Sequence, residues 1–141
     1  KVYNILLKKA DLTKAQVFKT EILKYIDEFK KNSSLEQYQN QISFVATSST
    51  PLRLSSYIHR RKKYDREQED GSVMTQEQIS QALEEWNKST EQQRASSIYI
   101  GVKRAPIFIA GTILLNTINN SLGVEKLDDN ALKKILPKIR I

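Results

Sequence analysis

The sequence predicts an all-α fold, a bundle of about four to six helices with an apolar C-terminal helix at its centre. Apolar residues recur at intervals of three and four along most of the 141 residues. Gly and Pro are scarce, at four and three, which favours helices joined by short connections. No stretch alternates between apolar and polar residues for long enough to indicate a strand.

Two helices are predicted in the N-terminal third of the chain. Asp11 or Thr13 would cap the first helix, and the Asn-Ser-Ser run at 32–34 would separate it from the second. The apolar stripe of the first helix consists of Phe18, Ile22, Tyr25, Ile26 and Phe29. The stripe of the second helix consists of Leu35, Tyr38, Ile42 and Val45.

The third helix is predicted over residues 51–68. Thr50 would cap it, and Pro51 suits the first helical position because an N–H there would have no intrahelical partner. The polar run EDGSVM then connects this helix to the next. We therefore divide the chain into an N-terminal region, 1–68, and a C-terminal helical region, 75–141, within one structural unit.

Two capping-box patterns mark the fourth helix. Thr75 with Gln78 begins it, and Thr90 with Gln93 restarts it or continues it as far as Val102. Its apolar face contains Ile79, Ala82, Leu83 and Trp86. The place of Trp86 on this face assigns it to the core rather than to a platform for stacking bases.

The most apolar run, APIFIAGTILL at 105–115, predicts a buried helix that begins at Pro106 and ends at Gly123. It is too short to span a bilayer, which takes about 20 residues. Asp128 or Asp129 would cap a last short helix. That helix would contain Ala131, Leu132, Ile135 and Leu136.

The net charge of +7 and the pI of about 9.6 indicate a polyanionic partner, either nucleic acid or an anionic membrane surface. A basic but merely soluble surface is the alternative. The absence of Cys excludes disulfides and thiolate metal sites.

Cations are concentrated in SYIHRRKKYDR, residues 56–66. A phosphate backbone would relieve the repulsion among them and release counterions. The alternatives are a solvated helix face with snorkelling side chains and a nuclear localisation run. The candidate nucleic-acid-binding residues are Arg53, Tyr57, His59, Arg60, Arg61, Lys62, Lys63 and Arg66, extended by Lys103 and Arg104.

Residues for catalysis or metal binding are not evident in the sequence. His59 has no other His and no Cys to form a ligand cluster with, and no glycine-rich phosphate loop occurs. Glu84 and Glu85 are adjacent, so on a helix they would point apart rather than form a dyad. We therefore predict a protein that is not an enzyme and has no metal, cofactor or small-molecule substrate.

A basic helical region, a polar connection and the closing run APIFIAGTILLNTINNSLGVEKLDDNALKKIL follow one another in a composition rich in Ile, Lys, Ser and Gln. This order resembles the major coat proteins of filamentous and rod-shaped archaeal viruses. The resemblance implies a capsid subunit of the virion that pairs with itself or a related subunit. Such subunits wrap genomic double-stranded DNA in a helical filament, and some members of the family carry a lipid envelope.

The first functional hypothesis is therefore a structural coat protein that binds double-stranded DNA through sequence-independent phosphate contacts. The alternative is a regulatory or plasmid-type helical protein that binds DNA at discrete sites. A third hypothesis is an adaptor whose basic helix docks on an acidic protein.

Overall fold

The computed structural model describes residues 15–38 and 41–129, and these residues are mostly helical. The helices are α1 (Ala15–Asn32), α2 (Ser49–Ile58), α3 (Arg66–Glu69), α4 (Gln76–Asn87), α5 (Glu91–Ser96) and α6 (Phe108–Leu122). The strands are β1 (Val45–Ala46), β2 (Val73–Thr75) and β3 (Lys126–Asp129). The predicted all-α bundle of four to six helices is confirmed. Within these ranges no helix is long and apolar enough to cross a membrane.

Helix α6 lies at the centre of the bundle, as its composition predicted. Helices α1, α2 and α4 all pack against it, and its Phe108 and Ile113 are 1% and 2% exposed. Each side chain buried to this extent contributes about 1.5–3 kcal/mol. The helix ends where the sequence placed its end, at Gly123, which adopts the left-handed conformation with φ of 66°.

Both predicted capping boxes form. The Thr75 hydroxyl accepts a hydrogen bond from the backbone N–H of Gln78 (3.2 Å), and the Gln78 side chain accepts one from the N–H of Thr75 (2.9 Å). Thr90 and Gln93 repeat the arrangement at the start of α5. These local signals set the starts of α4 and α5 without help from distant residues.

Helix α5 is shorter than predicted. It ends at Ser96, and residues 97–107 follow as a series of turns before α6 begins. Ile98 and Val102 are 59% and 76% exposed, so they do not continue the apolar face of α4. Pro106 lies in these turns rather than in the first turn of α6.

The helix predicted over residues 35–45 is wrong. Leu35–Tyr38 forms a single 3-10 turn, and Val45–Ala46 is strand β1. The sheet order is β1-β3-β2, with β1 parallel and β2 antiparallel to β3. Strands of two to four residues are too short to show alternation, so pairing with distant segments decided the conformation here.

Several expectations concern the two ends of the chain. The cap at Asp11 or Thr13 and the last helix at 131–136 lie outside the described residues. Asp128 and Asp129, predicted as caps, belong to β3, where Asp128 is the register partner of both Val45 and Val73.

Thr50 does not cap α2 but packs against α6. Ser48 occupies the N-cap position, without a side-chain hydrogen bond. A Cβ at Gly111 of α6 would lie 2.6 Å from Thr50 Oγ1 and 3.2 Å from its Cγ2. Non-bonded atoms do not approach as closely as the first of these distances, so only glycine permits this separation of α2 and α6.

Gly111→Ala is expected to destabilise the fold by about 1–3 kcal/mol, because the added methyl group overpacks this contact. In an unobstructed helix the same change would stabilise by about 0.5–1 kcal/mol. In a Thr50→Ala background the obstruction is gone, so Gly111→Ala should be neutral or stabilising. Urea unfolding of the parent, the two single variants and the double variant measures this difference. Equal effects of Gly111→Ala in both backgrounds would rule the contact out.

Candidate anion-binding site

The helix predicted over residues 51–68 is wrong in its C-terminal half. Helix α2 ends at Ile58, residues 59–65 form a loop that we call the basic loop, and α3 begins at Arg66. The sequence between Ile58 and Arg66 contains no Gly or Pro that would have indicated the end of the helix. The cations therefore do not ring one continuous helix, which was the arrangement that suggested a DNA-binding helix.

Arg60 follows the last turn of α2 at the left-handed position that glycine usually occupies. Its φ is 53°, its N–H donates to the Tyr57 carbonyl (3.1 Å), and the N–H of Arg61 donates to the Ser56 carbonyl (3.1 Å). This is the Schellman pattern, and a non-glycine residue in it costs about 1–2 kcal/mol. The Arg60 guanidinium lies 4.4 Å from the Tyr57 ring centroid and 3.9 Å from Glu85 Oε2, contacts that offset part of this cost.

A buried carboxylate anchors the basic loop. Glu69 is 0% exposed; it accepts a hydrogen bond from Ser55 Oγ (2.6 Å) and one from Arg61 Nε (3.0 Å). The Tyr99 hydroxyl donates to the backbone carbonyl of Arg61 (2.9 Å). Arg61 is thus held by its side chain and by its backbone, and it fixes the loop against α2, α3 and the turns after α5.

Ser55, His59 and Glu69 lie together but do not form a nucleophilic triad. His59 Nδ1 is 2.8 Å from the Ser55 carbonyl oxygen and 3.2 Å from Ser55 Oγ. A carbonyl oxygen only accepts, so Nδ1 carries the proton and cannot take one from the serine. Ser55 is also fully buried, and its hydroxyl donates to Glu69. These three residues stabilise the loop.

Tyr57 of α2 is partly buried and packs against the aromatic part of the core. Its ring centroid lies 4.9 Å from that of Trp86 and 5.6 Å from that of Tyr99, and its hydroxyl donates to Glu85. Burial and the hydrogen bond to Glu85 raise the pKa of Tyr57, so the phenol remains a donor at neutral pH. Trp86 packs edge-on against Phe108, in the core as predicted.

Arg53 of α2 is the centre of the cationic surface. One of its terminal nitrogens donates to the carbonyls of Tyr99 (3.0 Å) and Ile100 (2.9 Å), and its guanidinium lies 4.3 Å from the Tyr64 ring centroid. Burial lowers the pKa of Arg53, and the nearby Arg104 guanidinium lowers it further, while Tyr64 acts in the opposite direction. We call Arg53, Tyr64 and Arg104 the arginine site.

No carboxylate neutralises the arginine site. In the part of the chain that the structure describes, neither Arg53 nor Arg104 forms an ion pair. A guanidinium presents a planar set of N–H donors that matches an oxyanion. An anion bound here would relieve the repulsion between Arg53 and Arg104.

The ten predicted residues therefore separate into three groups. The first group is Arg53 and Arg104, which come from segments distant in the sequence, and Arg104 lies near enough to lower the pKa of Arg53. The second group consists of side chains that make contacts within the fold, namely Tyr57, His59, Arg60 and Arg61. The third group consists of exposed cations that form no ion pair within residues 15–38 and 41–129, namely Lys62, Lys63, Arg66 and Lys103. Contact of these four cations with an anion stays a prediction.

The arginine site can bind and stabilise negative charge, but it contains no group suited to proton transfer. Within the described ranges no cluster of His, Asp and Glu could hold a metal ion. The sequence reasoning missed the carbonyls of Tyr99 and Ile100, because backbone acceptors leave no signal in residue type. It also left Tyr64 out of the site, although Tyr64 belongs to the cation-rich segment.

No protein-family model and no curated protein matches the chain. Solved structures of the Ppx/GppA family share this fold. The PPX-GPPA enzyme of Aquifex aeolicus matches with a TM-score of 0.72 and 13% identity, over 97% of this chain and 45% of that one. The crystal structure of the Aquifex aeolicus member of the Ppx/GppA family matches with a TM-score of 0.60 and 16% identity, over 84% of this chain and 42% of that one.

A third match is the crystal structure of the type II variant of the Aquifex aeolicus Ppx/GppA phosphatase. Its TM-score is 0.60 at 17% identity, over 84% of this chain and 41% of that one. This chain therefore spans less than half the length of the solved structures it matches. At such low identity the likeness concerns the fold alone.

The likeness contradicts the expectation of a viral coat protein. The fold neighbours are phosphatase-family enzymes, so the predicted virion location, DNA and coat-subunit partners and lipid envelope are wrong. The predictions that the protein is not an enzyme and has no small-molecule substrate are overturned by the same finding. The physical source of the error is the basic segment, whose cations were placed on one continuous helix.

Arg61→Gln is expected to destabilise the fold more than Glu69→Gln, although each breaks the same ion pair. The Arg61 side chain is 36% exposed and regains water when its partner is neutral, whereas Glu69 is 0% exposed and would keep an uncompensated charge. We expect losses of about 3 kcal/mol for Arg61→Gln and about 1 kcal/mol for Glu69→Gln. Urea unfolding at pH 7 measures both. Equal losses would contradict this account of the anchor.

Proposed function

We propose that this chain is part of a phosphatase built on the Ppx/GppA fold, and that its arginine site binds phosphate groups of the substrate. The observation that carries the proposal is the match to the PPX-GPPA enzyme of Aquifex aeolicus over 97% of the chain. That match extends through the elements that hold the arginine site, from α2 to α6.

The chemistry of the arginine site supports the same function. A phosphatase must bind a phosphate group with several negative oxygens and stabilise the charge that it carries during transfer. Arg104 lies near enough to lower the pKa of Arg53, neither residue forms an ion pair within residues 15–38 and 41–129, and Arg53 is partly withdrawn from water. Charge-assisted hydrogen bonds from guanidinium to phosphate contribute about 1.5–3 kcal/mol each.

The proposal assigns phosphate binding, and not proton transfer, to this part of the protein. Hydrolysis also requires a group that orients or deprotonates a water molecule. The arginine site offers guanidiniums and a phenol, neither of which serves as a base at neutral pH. Ser55 and Glu69 do not supply that group either, since both are buried and hydrogen-bonded to each other.

Arg104→Gln is expected to weaken the binding of pyrophosphate by about tenfold or more, because one charge-assisted contact is lost. Arg104 is the cleaner variant of the two, since its side chain makes no hydrogen bond within the described part of the chain, whereas Arg53 holds two carbonyls. Isothermal titration calorimetry at fixed ionic strength measures the affinity. Lys31→Gln on α1 removes the same unit charge elsewhere and serves as the matched control.

If Lys31→Gln weakens binding as much as Arg104→Gln, the effect comes from net charge and the arginine site is not the binding site. If the parent protein shows no affinity for pyrophosphate, phosphate binding by this site is excluded. Both outcomes can be read from the same titrations.

Phosphatase activity is tested on the protein expressed from its complete gene. We expect release of inorganic phosphate from phosphoanhydrides or phosphomonoesters, and a fall in kcat/KM of about tenfold or more in Arg104→Gln. No release from a panel that covers pyrophosphate, tripolyphosphate, nucleoside triphosphates and aryl phosphates would overturn the proposed activity. Release that Arg104→Gln leaves unchanged would overturn the role of the site.

A further inference from the structure

Arg94 of α5 is a buried cation with no carboxylate partner in the described part of the chain. It is 2% exposed. Its Nε donates to the Ala105 carbonyl (3.1 Å), and one terminal nitrogen donates to the Ser89 carbonyl (2.7 Å) and to Ser89 Oγ (3.1 Å). Every partner of this guanidinium is a neutral oxygen.

Burying a guanidinium without a carboxylate partner lowers the stability of the fold. Its presence therefore indicates a role that an apolar side chain could not fill. Burial lowers the pKa of Arg94, opposed by the charge of Glu91, so its charged form is disfavoured where it lies. An apolar residue of similar size would fill the space without that cost. What only an arginine provides is several N–H donors in one plane, which can hold carbonyls of two separate segments and keep a positive charge between them.

One of the carbonyls that Arg94 holds lies next to the arginine site. Residues 97–107 connect α5 to α6, and Arg53 holds this connection at Tyr99 and Ile100. Arg94 holds it near the other end, at Ala105, the residue after Arg104. The connection is thus fixed between two guanidiniums, and the position of Arg104 relative to Arg53 depends on both of them.

We propose that Arg94 is a positioning residue for the arginine site. It fixes the backbone beside Arg104, so that this guanidinium stays close to Arg53. Arg94 has no contact with the bound phosphate and acts through Arg104. This inference rests on the proposed binding of phosphate by the arginine site.

The test is a double-substitution cycle of Arg94→Met with Arg104→Gln, read as pyrophosphate affinity by isothermal titration calorimetry. Arg94→Met alone should weaken binding by about tenfold, because the tether to the Ala105 carbonyl is lost and Arg104 is no longer held beside Arg53. In the Arg104→Gln background it should cause almost no further loss, since the residue it positions is absent. Arg94→Lys keeps one donor group that can reach only one of the two segments, so it should weaken binding less, by about threefold.

The proposal is overturned if Arg94→Met binds pyrophosphate like the parent, or if the losses of the two substitutions simply multiply. Should Arg94→Met fail to fold, Arg94→Lys takes its place in the cycle, and its smaller loss must likewise vanish with Arg104→Gln. A residue with only a general structural role would lower affinity in both backgrounds alike.

Hydrogen exchange separates this inference from the proposed function. In Arg94→Lys or Arg94→Met, the backbone amides of Arg104, Ala105, Ile107 and Phe108 should exchange faster, whereas those of α1 should not. Unchanged exchange at 104–108 overturns the tether whether or not the protein binds phosphate. A parent protein that binds no pyrophosphate overturns the phosphate-binding function, and with it the positioning role, even if the tether itself is observed.

Discussion

The contact between Thr50 and Gly111 fixes how closely α2 approaches α6, and the arginine site depends on that approach. Packed helices lie about 8–10 Å apart according to the side chains at their contact, and a glycine allows the shortest distances. Arg53 lies one turn after Thr50 on α2, and Arg104 lies in the turns that lead into α6. A wider separation of the two helices would move the two guanidiniums apart and remove Arg53 from the carbonyls it holds.

Backbone carbonyls take the place of carboxylates around the connection between α5 and α6. Arg53 and Arg94 both donate to main-chain oxygens, and Arg104 has no side-chain hydrogen bond or ion pair in the described part of the chain. Hydrogen bonds to neutral oxygens satisfy the donors but leave the positive charge uncompensated. Part of the net charge of +7 is therefore concentrated at the arginine site, where a bound oxyanion would lower the electrostatic energy.

The basic segment shows why charge density along a sequence is a weak guide to function. Of its cations, Arg61 pairs with the buried Glu69 and Arg60 ends a helix, so these two stabilise the fold. Lys62 and Lys63 remain exposed. Residue type alone does not separate the cations that stabilise the fold from those that stay exposed. The difference depends on which residues, distant in the sequence, lie beside each of them. The resemblance to coat proteins rested in part on a basic helical region, and this segment does not form one continuous helix.

Local interactions within about four residues determined what the sequence could predict by itself. They place α1, the capping boxes of Thr75 and Thr90, the buried helix α6 and its end at Gly123, because each depends on neighbouring residues of the chain. The tertiary structure alone decided the three short strands, the left-handed Arg60 and the meeting of Arg53 with Arg104. Each of these depends on contacts between residues far apart in the sequence, and such contacts leave no pattern in any short stretch of it.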